Sequence, residues 1–140
     1  MKLMLLILFL LTSSALYAAS ITASNAIITV LPPGSQVTAI TFDLKNNTSK
    51  DITLFAVSGD FADSFEIHTM GNENGKMRMK KLDQLILKKN STTELKKGGN
   101  HIMVFDPKEN IKENKTYSLT LHYDKNKKLN IKVRGKKTFE

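Results

Sequence analysis

The sequence predicts an all-β domain, folded as two packed sheets or a small barrel. Three observations point there: the apolar runs are short, they are rich in Ile, Val, Thr, Phe and Tyr, and turn residues interrupt them every eight to twelve positions. Helical periodicity is hard to find. The first strand is expected over 26–30, stopped by Pro32-Pro33-Gly34, and the second over 37–44, stopped by Asn46-Asn47. A third runs over 52–57. Strands at 64–70 and 76–82 flank Asn74-Gly75, a dipeptide suited to a two-residue type I′ hairpin turn, which would pair residue 73 with 76. Short strands follow at 85–87 and 92–95, then Gly98-Gly99, then 101–105 ending at Asp106-Pro107. The last two, 117–123 and 129–133, form the clearest hairpin, with Tyr117, Leu119, Leu121 and Tyr123 on one face and Leu129, Ile131 and Val133 returning. No internal repeat or linker divides the chain, so a single domain is expected.

The 140 residues contain no Cys, which excludes disulfide scaffolds, thiolate metal sites and thiol nucleophiles. Met1-Lys2, the apolar run over 3–11 and the small neutral residues leading to Ala18-Ala19-Ser20 read as a secretory signal peptide over 1–19, cleaved after Ala18, Ala19 or Ser20. The apolar run is too short to span a bilayer. Residues 20–140 are then the exported domain, with the formal charge falling from +8 to +7 as Lys2 leaves. No Cys follows the apolar run to carry a lipid.

Chemistry concentrates in the middle of this domain. Met70, Met77, Met79 and Met103 fall within 34 residues, with His68 and His101 bracketing or entering that window. Side chains two apart on a strand share a face, so His68 pairs with Met70, Met77 with Met79, and His101 with Met103. The I′ register sets Met70 opposite Met79 and His68 one diagonal step from Met79. The strand carrying His101 is expected to join by tertiary packing. Phe65, Ile67, Leu82, Ile102, Val104 and Phe105 are taken as the core-facing residues. Met often fills cores, but here the thioethers fall beside two imidazoles on the face away from them. Thioether sulfur is a soft neutral donor suited to Cu(I), imidazole also tolerates Cu(II), and a thioether cannot pair into a disulfide, so the set stays competent in an oxidising compartment where thiolates would be consumed.

The spacing His68, ten residues, Met79, twenty-one residues, His101-Ile102-Met103 resembles the signature of the PCuAC-type periplasmic copper chaperones. The words around it are similar too: Glu66-Ile67-His68-Thr69-Met70, Gly75-Lys76-Met77-Arg78-Met79 and Gly98-Gly99-Asn100-His101. The resemblance covers about residues 23–134. Two departures stand out: Ala26-Ile27-Ile28-Thr29 where the family commonly has Trp-x-Arg, and Asn100 where it has Tyr. The resemblance implies a cupredoxin-like or Ig-like Greek-key sandwich or barrel and a periplasmic location. It implies His68, Met79, His101 and Met103 as ligands of one Cu(I), and delivery toward the CuA centre of cytochrome c oxidase or its assembly factors. Met70 and Met77 lie off the signature and are open to supporting, transfer or packing roles.

Imidazole binds metal only when neutral, so copper affinity should fall below about pH 6.5. Competition titrations on a His68→Gln/His101→Gln variant should show a flattened profile, and an unchanged pH dependence there would defeat the idea. Two other readings use the same chain: copper storage or resistance without delivery, and an exported β-sandwich binding module that takes no metal. An enzyme is not expected, for no paired carboxylate, nucleophile–base couple or phosphate loop occurs at recognisable spacing. Lys pairs such as Lys80-Lys81 and Lys96-Lys97 fit steering toward an acidic partner or a solvated surface. Nucleic acid is not expected as a partner, nor stable membrane insertion after cleavage, and a monomer is. His122 is expected at the surface.

Overall fold

The computed structural model describes residues 20–138, so the expected export segment lies outside the described residues. Ten strands follow in order: β1 (Ile21–Thr29), β2 (Val37–Asn46), β3 (Ile52–Ser58), β4 (Ala62–Glu73), β5 (Lys76–Leu82), β6 (Leu85–Leu87), β7 (Ser91–Leu95), β8 (His101–Pro107), β9 (Thr116–Tyr123) and β10 (Lys127–Lys136). Each expected strand is present. The largest difference is β1, which starts five residues early because Ile21 and Ala23 pair with Asn46 and Leu44. Ser24 and Asn25 look like turn residues in sequence, yet they occupy a bulge where the β1–β2 register shifts and Asn25 takes a φ of 55°.

Hydrogen bonds link the strands in the order β5-β4-β8-β2-β1-β10-β9-β3-β6, with β7 also on β2. Two neighbours fit on one side of β2 because Val37 to Ile40 pair with β8 while Phe42 to Asn46 pair with β7. The path folds back on itself: Ile40, Ile102, Leu119 and Val133, drawn from distant strands, belong to one buried cluster. Strand alternation supplies that cluster, since Ile40, Phe42 and Leu44 on β2 and Tyr117, Leu119, Leu121 and Tyr123 on β9 all point inward. The final hairpin has the expected register, Val133 opposite Tyr117 and Ile131 opposite Leu119.

Asn46 ends the inward row of β2 as a fully buried polar residue. Its amide donates to the Lys50 and Leu87 carbonyls at 2.8 and 2.9 Å, and its oxygen accepts from the Thr48 amide and hydroxyl. Asn46→Leu strands these groups and should cost about 2–3 kcal/mol in urea unfolding. Gly135 on β10 lies tight under the loop that follows β8, where an added Cβ would overlap the Lys112 carbonyl. Gly135→Ala should therefore destabilise by about 3 kcal/mol in the same measurement, because backbone must move to admit the methyl group.

Candidate metal centre

The strands that carry His and Met lie side by side at one end of the sheet, with β5 at the edge, then β4, then β8. Asn74 and Gly75, at φ 52° and 80°, make the turn between β4 and β5, and both positive angles are what a type I′ turn requires. That turn closes the pair Glu73 and Lys76, from which Met70 falls opposite Met79 and His68 opposite Lys81. On its other side β4 pairs with β8, setting His68 opposite His101 and Glu66 opposite Met103. The third pair thus joins by direct strand pairing and not by tertiary packing alone. Met79 and Met103 each sit one diagonal step from His68, on opposite sides, within reach of long side chains.

Alternation sends Ile67, Ile102 and Val104 into the core and leaves His68, Met70, Met79, His101 and Met103 on the other face. Phe105 is a correction: two residues beyond Met103, it shares the His101 face, where its ring lies 6.2 Å from that of His68. The His68 and His101 rings are 6.0 Å apart and tilted. His101 and Met103 are only 6% and 9% exposed, whereas Met79 on the edge strand is 53% exposed. The centre is thus closed on the β8 side and open on the β5 side.

Hydrogen bonds orient both imidazoles. A turn over Lys96 to Asn100, with Gly99 N–H donating to the Lys96 carbonyl, brings the Gly99 carbonyl to 2.9 Å from His101 Nδ1. A carbonyl only accepts, so Nδ1 carries a proton, and in the neutral ring Nε2 has the lone pair. His68 is held the opposite way, with Nε2 2.7 Å from Glu66 Oε2. Lys81 reaches the other oxygen of Glu66 at 3.3 Å. The His68 hydrogen bond, with Lys81 in support, holds the Glu66 carboxyl below its ordinary range despite partial desolvation. An ionised carboxylate accepts, so Nε2–H is the donor. That leaves His68 Nδ1 as a buried nitrogen with no hydrogen-bond partner, an atom whose lone pair is desolvated and unused.

Sequence reasoning missed Glu66 and Phe105 as parts of this centre. The signal for both was parity, since 66, 68 and 70 share a face, as do 101, 103 and 105. Met70 sits half-buried opposite Met79, and Met77 is exposed near the hairpin tip. His122 lies apart on β9, bonded to Ser58 at 2.7 Å and facing Phe55. Among the described residues no three His, Asp or Glu side chains are grouped to hold a metal ion.

The LpqE-like lipoprotein family model matches residues 21–134. RP573 of Rickettsia prowazekii (strain Madrid E) is 33% identical over 98 residues, 68% of this chain and 54% of that protein, so the chain spans about half the length of this curated relative. Among solved structures, the copper-bound PCuAC domain from PmoF2 superposes with a TM-score of 0.72 over 87% of this chain and 97% of that one, at 16% identity, a likeness of fold. The apo form of DR1885 from Deinococcus radiodurans is 26% identical, with a TM-score of 0.66 over 87% and 82% of the two chains. Its Cu(I) form is 24% identical, with a TM-score of 0.70 over 91% and 85%. The family match over most of the chain and the shared architecture agree: this protein belongs to the LpqE-like family and has the fold of the PCuAC domains.

Proposed function

We propose that this chain is an exported copper chaperone that carries one Cu(I) in a site made by His68, Met79, His101 and Met103. The observation that carries the reading is the strand register, which sets the two His directly opposite each other and both Met one step from His68. Two imidazoles and two thioethers form a neutral, soft donor set, which favours Cu(I) over Zn(II), Mg(II) or Ca(II). The unpartnered Nδ1 of His68 and the free Nε2 of His101 are the nitrogen lone pairs available to a cation. The neighbours in fold from PmoF2, copper-bound, and DR1885, in its Cu(I) form, are in keeping with the same reading. Copper is cargo here, so the role is binding and release rather than catalysis.

Release follows from the uneven burial of the donors. Met79 stands exposed on an edge strand, so a partner's ligand can enter as its sulfur leaves, while the more buried His101 and Met103 keep hold until exchange is complete. Delivery toward the CuA centre of cytochrome c oxidase is the recipient we propose. Residues 1–19 would direct export to the periplasm and be removed. The start of β1 and of the family match at Ile21, next to the expected cleavage point, supports that boundary and a single domain from residue 20. Native mass spectrometry after anaerobic Cu(I) loading should show one tightly held copper per monomer. A soluble CuA domain added afterward should take it, and retention of the metal would leave storage as the function.

A further inference from the structure

The donors do not end at the four residues above. From the buried end outward, one face carries Met103 and His101 on β8, His68 and Met70 on β4, and Met79 and Met77 on β5. Exposure rises along this line, from 9% and 6% at Met103 and His101 to 53% at Met79 and 58% at Met77. The two most exposed thioethers are therefore on the strand that follows the Asn74-Gly75 turn, which has no strand beyond it among the described residues. Side chains of this size are ordinarily drawn into a core, and β5 has a core-facing residue only in half-buried Leu82.

The hairpin geometry groups three sulfurs. In a two-residue turn the closing pair, Glu73 with Lys76, exchanges both backbone hydrogen bonds, and the pair types alternate from there. Asn72 with Met77 and Met70 with Met79 then fall on the non-hydrogen-bonded type, whose Cα atoms approach to about 4.5 Å and whose side chains lie closest. Met77 is next to Met79 on its own strand face and diagonal to Met70, a separation of about 7–8 Å between Cα atoms that two Met side chains bridge. The intervening Arg78 and Lys80 point to the opposite face, where both lie near Glu73. On the sulfur-bearing face the nearest charges, Lys81 and Glu66, are paired with each other at 3.3 Å on the His68 side, and the hairpin end carries Met70, Met77, Met79 and uncharged Asn72.

From this we propose that Met70, Met77 and Met79 form a second, outer Cu(I) station, with Met79 shared between it and the inner site. Three thioethers satisfy a soft monovalent cation that accepts low coordination numbers, and they hold it more weakly than a set containing imidazole. Copper stays Cu(I) throughout: moving inward it keeps the Met79 bond, gives up the Cu–S bonds to Met70 and Met77 and gains bonds to His68, His101 and Met103, its coordination number rising from three to four, and moving outward reverses these exchanges. The ion would move between the outer station and the inner site by rotation about Met79, without passing through water. This inference rests on the inner site proposed above, and the test separates the two.

The test is a titration of Met-methyl 13C-labelled protein with Ag(I), a redox-silent probe for Cu(I), followed by NMR, with Met70→Leu/Met77→Leu in parallel. Two equivalents are expected to bind in sequence: the first shifts the Met79 and Met103 methyl signals, and the second, weaker one draws Met79 outward, shifting Met70 and Met77 and moving the Met79 signal again. The Leu variant should keep the first and lose the second, and it should transfer Cu(I) to a chromogenic chelator several-fold more slowly than the parent. Met70 and Met77 signals that stay fixed in excess Ag(I) while Met103 shifts would overturn the outer station and leave the inner site standing. Movement of Met70, Met77 and Met79 with Met103 unmoved would do the reverse. No movement at any methionine would overturn both.

Discussion

Replacing His101 with Gln is expected to lower Cu(I) affinity by more than about 100-fold, since loss of even a ligand's orienting partner costs about 10–100-fold. The ring is buried and held by the Gly99 carbonyl, so its free nitrogen is preorganised. Gln keeps a polar side chain of similar volume at this buried position, and urea unfolding of the same variant separates loss of a donor from loss of fold. Met103→Leu, which keeps the volume and removes the sulfur, should act in the same direction with a smaller effect. His122→Gln, on the far strand β9, should leave affinity unchanged. Competition against a chromogenic Cu(I) chelator measures all three, and near-wild-type affinity in the His101 variant would contradict the site.

Glu66 is the second large effect. Its carboxylate fixes the His68 ring and holds the proton on Nε2, which turns the unpartnered Nδ1 into the donor. Glu66→Leu should lower Cu(I) affinity by about 10–100-fold. Glu66→Gln, whose amide oxygen can still accept from Nε2–H, should retain most of it. In the copper-free protein, nitrogen-15 NMR should find opposite tautomers on the two rings, Nε2–H on His68 and Nδ1–H on His101, and Glu66→Leu should scramble only the first. Identical tautomers in the parent would overturn this account of Glu66. Its lowered carboxyl pKa also has a definite sign for stability: the stabilisation is present above the ordinary Glu range and is lost as pH falls through the lowered folded-state value.

Much of this was legible in the residues because β structure is written with a short period. Asn74-Gly75 fixed the register of the β4–β5 hairpin, and that register alone placed Met70 opposite Met79. The alternation at 117–123 and 129–133 identified the closing hairpin and its core face. What stayed hidden depends on contacts between distant parts of the chain. Pairing of β4 with β8 sets His68 against His101 across 33 positions of sequence, and no local pattern specifies which strand lies beside which. Phe105 reads as core from its hydrophobicity, while its parity with His101 and Met103 puts it on the face that carries the two imidazoles. Ile21 to Asn25 carries Ser and Asn, weak strand formers, and becomes part of β1 only through its pairing with β2.

The central claim is that imidazole nitrogen and thioether sulfur meet on one copper ion, and X-ray absorption at the copper edge of the anaerobically loaded protein counts these neighbours directly. Nitrogen and sulfur together in the first coordination sphere, with the sulfur contribution falling stepwise in Met79→Leu and Met79→Leu/Met103→Leu, is the predicted result. A sphere of nitrogen and oxygen alone would contradict it.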